Sequence, residues 1–277
     1  MPDDRLASSL SRVRRAVSRA RSRVGIAERT PLHRAYEERL LRSLDPEALP
    51  RHIGVIVDGN RRWAKAAGAS TADGHRRGAA KIGELLRWCE ELGIELVTIW
   101  LLSTDNFSRS PQELEALYEI ICGVVEEHAR AGYRVRVVGG PELLPPALHA
   151  RIAEVVEAAV PTKDLVVNLA IGYGGRQEIV DAARSAVRDA VAAGADAASV
   201  AEAITIEAIS QRLYTHDQAD PDLIIRTSGE QRLSGFLLWQ SVHSEYWFCE
   251  TYWPTFRRTD LLRALRDYCR RDRRFGA

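Results

Sequence analysis

Ile53-Gly54-Val55-Ile56-Val57 runs directly into Asp58-Gly59-Asn60-Arg61-Arg62-Trp63-Ala64. The apolar run reads as a short buried strand, and the loop that ends it carries a carboxylate, a glycine and two guanidinium groups. Moving outward, the same alternation recurs. Leu96–Leu102, Arg134–Val138, Leu165–Ile171, Leu223–Ile225 and Tyr246–Phe248 read as further strands. Ala79–Leu92, Pro111–Ala131, Pro145–Val160 and Arg176–Ala193 read as helices. Pro111 and Pro145 suit a first helical turn, where a missing N–H costs nothing. Strands alternating with helices at this pitch predict an α/β fold. It would be a single domain with a central, mostly parallel sheet of about six strands flanked by helices. Ala192–Ala203 is Ala-rich and reads as a surface helix or loop.

Composition narrows the function classes. Hydrophobic residues make up 45% of the 277 and charged residues 28%, so the chain can bury a sizeable core. That excludes a disordered chain, a collagen and a disulfide-stapled miniprotein. No apolar run approaches the roughly 18 residues of a membrane span. The net charge of +1 gives no global basic field that would call for nucleic acid. The four cysteines, Cys89, Cys122, Cys249 and Cys269, form no CxxC pair. They read as free thiols of a reducing cytoplasm.

Residues 1–48 read as an extension ahead of a folded body at 49–277. Residues 1–30 hold eight Arg, no Lys and three acidic residues, with Leu6, Leu10, Val13, Val17, Ala20 and Val24 on one helical stripe. Such a basic amphipathic stretch suits peripheral contact with an anionic membrane, and equally a freely varying tail. No apolar h-region marks it as a secretory signal.

In α/β folds ligands bind where strand ends open into loops. In the first loop, Asp58 at a strand end suits a hard cation such as Mg²⁺, while Gly59 and the N–H groups beyond it, with Arg61 and Arg62, suit a phosphate. Asp58 and Asn60 capping the next helix is the plainer alternative. After Leu96–Leu102 come Ser103-Thr104-Asp105-Asn106-Phe107-Ser108-Arg109-Ser110-Pro111, polar residues at a strand end with a capped helix start behind them. After Leu223–Ile225 come Arg226-Thr227-Ser228-Gly229-Glu230-Gln231-Arg232-Leu233-Ser234-Gly235. Two arginines six apart, with hydroxyls and glycines, suit a diphosphate, and the apolar Phe236–Trp239 follows. Glu245 offers a second carboxylate for metal. His75 fits a ligand contact or a core histidine equally. Gly172-Tyr173-Gly174-Gly175-Arg176 lacks the last glycine of GxGxxG and reads as a tight strand-to-helix turn; no Walker A sequence occurs.

Four blocks in order resemble the cis-prenyltransferases, the Z-isoprenyl diphosphate synthases: HIGVIVDGNRRWA, LLSTDNFSRSPQEL, NLAIGYGGRQEIV and DPDLIIRTSGEQRLSGFLLWQSVHSEYWF. The resemblance implies condensation of isopentenyl diphosphate with an allylic diphosphate to form a Z double bond, in a fold with an apolar product tunnel. It implies Asp58 and Asn106 as catalytic residues and Mg²⁺ held by Asp58 and Glu245. Gly59, Asn60, Arg61, Arg62, Trp63 and His75 are implied around the allylic diphosphate, and Arg226, Arg232 and Ser234 around isopentenyl diphosphate. Ser103, Thr104, Asp105, Phe107 and Arg109 belong to the implied active-site loop. Asp58 and the diphosphate itself are both candidates for the general base. The C-terminal Arg274-Phe275-Gly276 matches a tail that reaches a partner subunit, implying a homodimer.

Three departures shape the expected product. Asp105 replaces the usual Glu, Thr71 stands where many long-chain members carry Arg, and Leu101 stands where they tend to have a small residue. A bulky Leu101 shortens the tunnel. With the basic extension, this resembles actinobacterial short-chain Z-farnesyl diphosphate synthases and predicts a product of about C15, with geranyl diphosphate as the expected primer. The alternatives are a long-chain synthase or a non-catalytic prenyltransferase subunit. An Asp58-nucleophile phosphatase is disfavoured by Asn60, which stands where a second Asp is usual.

Overall fold

The computed structural model describes residues 31–140 and 143–271. Six strands form one sheet: β1 (His52–Ile56), β2 (Leu96–Ser103), β3 (Arg134–Val138), β4 (Val166–Tyr173), β5 (Leu223–Arg226) and β6 (Glu245–Phe248). Their order is β3-β4-β2-β1-β5-β6, and every neighbouring pair is parallel. The expected mostly parallel sheet is therefore wholly parallel. Burial explains why the strands read so clearly. All five residues of β1 and all four of β5 are buried, because helices cover both faces.

The helices are α1 (Pro31–Arg42), α2 (Asn60–Ala66), α3 (Thr71–Leu92), α4 (Pro111–Arg130), α5 (Pro146–Ala158), α6 (Gly175–Ala192), α7 (Ala197–Glu202), α8 (Ile206–Ser210) and α9 (Arg258–Cys269). Pro111 opens α4 behind Ser110, whose hydroxyl accepts from Glu113 N at 3.3 Å, as the sequence suggests. Helix α3 starts eight residues before the expected Ala79. A capping box between Ser70 and Asp73 starts it, and Gly74 and Gly78 lie inside it. Those glycines let α2 press against α3: a Cβ on Gly74 would sit 2.4 Å from Asn60 O. Helices α1 and α9 were not anticipated, because their charged residues mask the faces they bury.

One large apolar core fills the space between the sheet and α3, α4 and α9, built on Ile53, Val55, Val97, Ile99, Leu85 and Leu261. On the other face a smaller core gathers Ile56, Ile224, Tyr173, Phe236 and Leu237. Pairing in β2 runs Trp100 to Ala170 and then Leu102 to Ile171, so Leu101 is the extra residue of a β-bulge. The bulge turns two successive side chains, Leu101 and Leu102, onto the large-core face. Residues 31–48 pack with the body through α1 and α9. The basic stripe of residues 1–30 lies outside the described residues, and none of the described helices is long and apolar enough to cross a membrane.

Candidate active site

Strands β1 and β5 are parallel neighbours, with Ile56 opposite Arg226. Their carboxyl ends therefore place the Asp58 loop beside the Arg226 loop. The joint is closely hydrogen-bonded. Asp58 N donates to Thr227 Oγ1 at 3.0 Å, and both Thr227 Oγ1 (2.7 Å) and Trp253 N (3.0 Å) donate to Asp58 O. Gly59 turns the chain at φ 102°, and a Cβ there would meet Tyr252 Cδ1 at 2.9 Å. Gly59 is the N-cap of α2, and no side chain caps that helix. The plainer reading of Asp58 and Asn60 as caps is thus overturned: Asp58 is left to face the mouth between the loops.

Arg226 is 4% exposed. Its Nη2 donates to Asp58 Oδ2 at 2.9 Å, while Nη1 donates to Ser234 Oγ at 2.8 Å and to the Arg232 carbonyl. Its Nε is buried with no hydrogen-bond partner among the described residues. Arg62 lies 3.3 Å from Asp58 Oδ1, donates to Ser228 Oγ at 2.6 Å and to Glu230 at 3.1 Å, and sits over the Tyr252 ring. Glu230 also pairs with Arg232. Ser228, Ser234 and Leu237 are the described non-glycine residues with positive φ, at 81°, 53° and 45°. Three such residues in one loop mark a backbone held in a strained form by its surroundings. Burial pushes the Asp58 carboxyl up, but Arg226, Ser228 and Arg62 outweigh it and hold its pKa below the usual range.

A second basic group sits beside the first. Arg109 donates to Glu113 at 3.0 Å, and Arg61 lies 3.8 Å from the same carboxylate. Burial, reinforced by Arg109 and Arg61 against Glu113, lowers the His75 pKa to about 4, so its ring is neutral near pH 7. In the 3₁₀ turn Thr104–Ser108, Asn106 Oδ1 accepts from Ser103 N at 3.1 Å. Asp105 is exposed on that turn, and Phe107 packs on the large core. Thr104 faces Gly174, where a Cβ would lie 2.6 Å from its Oγ1. Trp63 is half-buried on α2.

Below this mouth a narrow apolar cavity of about 30 Å³ runs among Val57, Ile82, Leu101, Leu117, Ile121 and Trp253. Asn60 and His75 line it too, and Asn60 Oδ1 and His75 Nε2 are buried there without a partner among the described residues. Two polar atoms without a partner among the described residues thus border apolar walls around a space that holds about one water.

Glu245 is not brought to this mouth. It begins β6 opposite Leu223, at the amino end of the strand whose carboxyl end holds Arg226, and its carboxylate pairs with Arg271. No group of three or more potential metal-ligating side chains occurs among the described residues. Conversely, Glu230, Tyr252 and Trp253 belong to the site but had no assigned role. Glu230 could have been found from its place between two phosphate-type arginines. Tyr252 and Trp253 carry no such signal, since only the fold brings them to Gly59 and Asp58.

Residues 56–276 match the family model described as "Putative undecaprenyl diphosphate synthase". The isoprenyl transferase 1 of Streptomyces avermitilis is 55% identical over 88% of this chain and 96% of its own length. The (2Z,6E)-farnesyl diphosphate synthase of Mycolicibacterium smegmatis is 56% identical over 89% and 96%. The crystal structure of lavandulyl diphosphate synthase from Lavandula x intermedia, in complex with dimethylallyl diphosphate, superposes with a TM-score of 0.76 at 34% identity. It covers 83% of this chain and 100% of that one.

Proposed function

The chain belongs to the undecaprenyl diphosphate synthase family, the cis-prenyltransferases, and from that premise we propose that it joins isopentenyl diphosphate to geranyl diphosphate to give (2Z,6E)-farnesyl diphosphate. The observation that carries the diphosphate chemistry is Arg226, a buried guanidinium with an unpartnered Nε, converging with Arg62 and Arg232 on one mouth above an apolar cleft. In the reaction, the C1–O bond of the allylic diphosphate breaks, the terminal alkene carbon of isopentenyl diphosphate bonds to C1, and the C2 proton of isopentenyl diphosphate passes to the departing diphosphate or to the Asp58 carboxylate. Charge builds on the departing diphosphate, where fixed cations act best. Arg61, Arg62 and the amide groups after Gly59 would hold the allylic diphosphate. Arg226, Arg232 and Ser234 would hold isopentenyl diphosphate, drawing Arg62 and Arg232 away from Glu230. Neutral His75 and Asn60 would orient the reacting ends at the top of the cleft, and Asn106 would assist proton removal from the loop above.

Asp58 suits Mg²⁺, an ion that takes one or two carboxylates and fills its remaining positions with water and substrate phosphate. When bound, the ion would neutralise charge on the leaving diphosphate. Glu245 would not share that ion within one chain, given its place at the far end of β6.

Leu101 supports the short product. The bulge aims it into the cleft, opposite Leu117 and Ile121 of α4, where it would stop an elongating chain. Mass spectrometry of products from Mg²⁺, isopentenyl diphosphate and dimethylallyl, geranyl or farnesyl diphosphate tests this. A single product of about C15 from geranyl diphosphate is expected. A ladder toward C50 would refute the short stop, and no condensation with any primer would refute the activity. A cytoplasmic homodimer, with peripheral membrane contact through residues 1–30, completes the reading. Exposed Val242 and Phe248 beside edge strand β6 support the dimer, which light scattering would measure.

A further inference from the structure

A polar cavity of about 310 Å³ opens between α1, α9 and the segment joining β6 to α9. Its walls include Tyr36, Thr251, Thr255, Arg257, Asp260 and Arg263. The one carboxylate among these is occupied: Asp260 Oδ2 accepts from Arg257 N at 3.0 Å and Oδ1 from Arg263 Nη1 at 3.2 Å. Arg263 in turn donates to Tyr36 Oη at 3.0 Å, which fixes one wall. The Arg257 side chain is exposed and makes no ion pair among the described residues. The cavity therefore holds one cation more than its acids balance, ringed by hydroxyls. That chemistry recognises phosphate oxygens, and the polar walls do not suit a prenyl chain.

The segment that forms one wall of this cavity is also the back of the catalytic mouth. Ser228 N donates to Thr251 O at 2.9 Å, Trp253 N donates to Asp58 O, and Tyr252 touches Gly59 and lies under Arg62. A ligand held by Thr251 and Arg257 thus bears on the backbone that positions Asp58 and Ser228. We infer that this cavity is a second anion site for a small diphosphate-type ligand, coupled to the catalytic mouth through residues 251–253. It stands on its own residues, whatever reaction the mouth performs.

Equilibrium dialysis with inorganic diphosphate as probe, on the full chain, tests the site. One equivalent at each of the two diphosphate subsites of the mouth and one in the cavity are expected in the unaltered protein, the total falling by one in Arg257→Gln and in Thr251→Val, with the cavity equivalent retained in the Arg62→Ala/Arg232→Ala double variant. If the mouth binds no diphosphate, a single equivalent that disappears in Arg257→Gln still supports the cavity. A stoichiometry untouched by Arg257→Gln and Thr251→Val, or binding lost altogether in Arg62→Ala/Arg232→Ala, would overturn it. Coupling is read by amide hydrogen exchange in that double variant. Added diphosphate should slow exchange at Ser228 and Trp253 at least severalfold, and unchanged exchange would remove the coupling.

Discussion

Asp58 is held from both sides of its peptide and by two guanidinium groups, so its carboxylate is poised before substrate arrives. Asp58→Asn keeps the shape and removes the charge. Turnover should drop by about 10²–10³-fold, the scale seen when one preorganised electrostatic contact to a reacting centre is lost; a kcat within threefold of the unaltered enzyme would contradict that role. The neighbouring His75 makes a different prediction. Its folded pKa of about 4 lies below the ordinary histidine value, as does that of His52, which burial also lowers to about 4. The unfolded chain therefore takes up these protons first as pH falls. Their contribution to stability is complete above about pH 6.5 and is lost toward pH 4. Urea unfolding should show stability declining across that window, and His75→Asn should make the decline shallower. At this scale the sequence was informative wherever a charge ends a buried strand, as with Asp58 and Arg226. It does not say where Glu245 stands, because which end of the sheet a residue occupies depends on strand register, and within one chain β6 begins at that residue.

The same contrast holds for elements. Strands were legible because burial on both faces writes them as apolar runs, whereas the start of α3 was hidden by Gly74 and Gly78, which look like breakers and serve as contact points. A Cβ on Gly78 would lie 2.3 Å from Asn60 Oδ1 and 3.0 Å from Trp253, whose Nε1 already donates to Gly78 O at 2.7 Å. Gly78→Ala should therefore cost about 1–3 kcal/mol despite the better helix propensity of Ala, and should lower turnover by displacing Asn60. Gly123, on α4 with open space around it, is the control: Gly123→Ala should stabilise by about 0.5–1 kcal/mol. Thermal melts and kcat on both variants decide whether the contact or the propensity governs. The bulge in β2 carries a prediction about product. Leu101→Ala removes the side chain that the extra residue points into the cleft, and the product should lengthen beyond C15. An unchanged product distribution would show that α4, through Leu117 and Ile121, sets the length instead.

Across the molecule, the least legible feature is how the chain before β1 is bound to the chain after β6. Helices α1 and α9 pack together, with Leu40 and Leu41 buried, yet neither reads as a buried helix because charged residues share the contact. Arg258 is 4% exposed and lies 3.4 Å from Glu37 Oε1 on α1 and 2.8 Å from Glu91 Oε2 on α3. One guanidinium thus joins three helices distant in sequence. Taking an arginine out of such a group removes the cation that two carboxylates share, a loss of about 3–5 kcal/mol, whereas replacing the whole group with neutral residues is often tolerated. Arg258→Met should accordingly be severely destabilising at pH 7. Adding Glu37→Gln and Glu91→Gln should recover most of the loss, since the carboxylates that faced Arg258 are then neutral. Because α9 lines the polar cavity through Asp260 and Arg263, a shift of this helix would be felt at the segment behind Asp58. Chemical denaturation of the single and triple variants measures the first effect. If the triple variant is no more stable than Arg258→Met, the ion group is not what docks α1, and the apolar contacts of Leu40 and Leu41 must hold it alone.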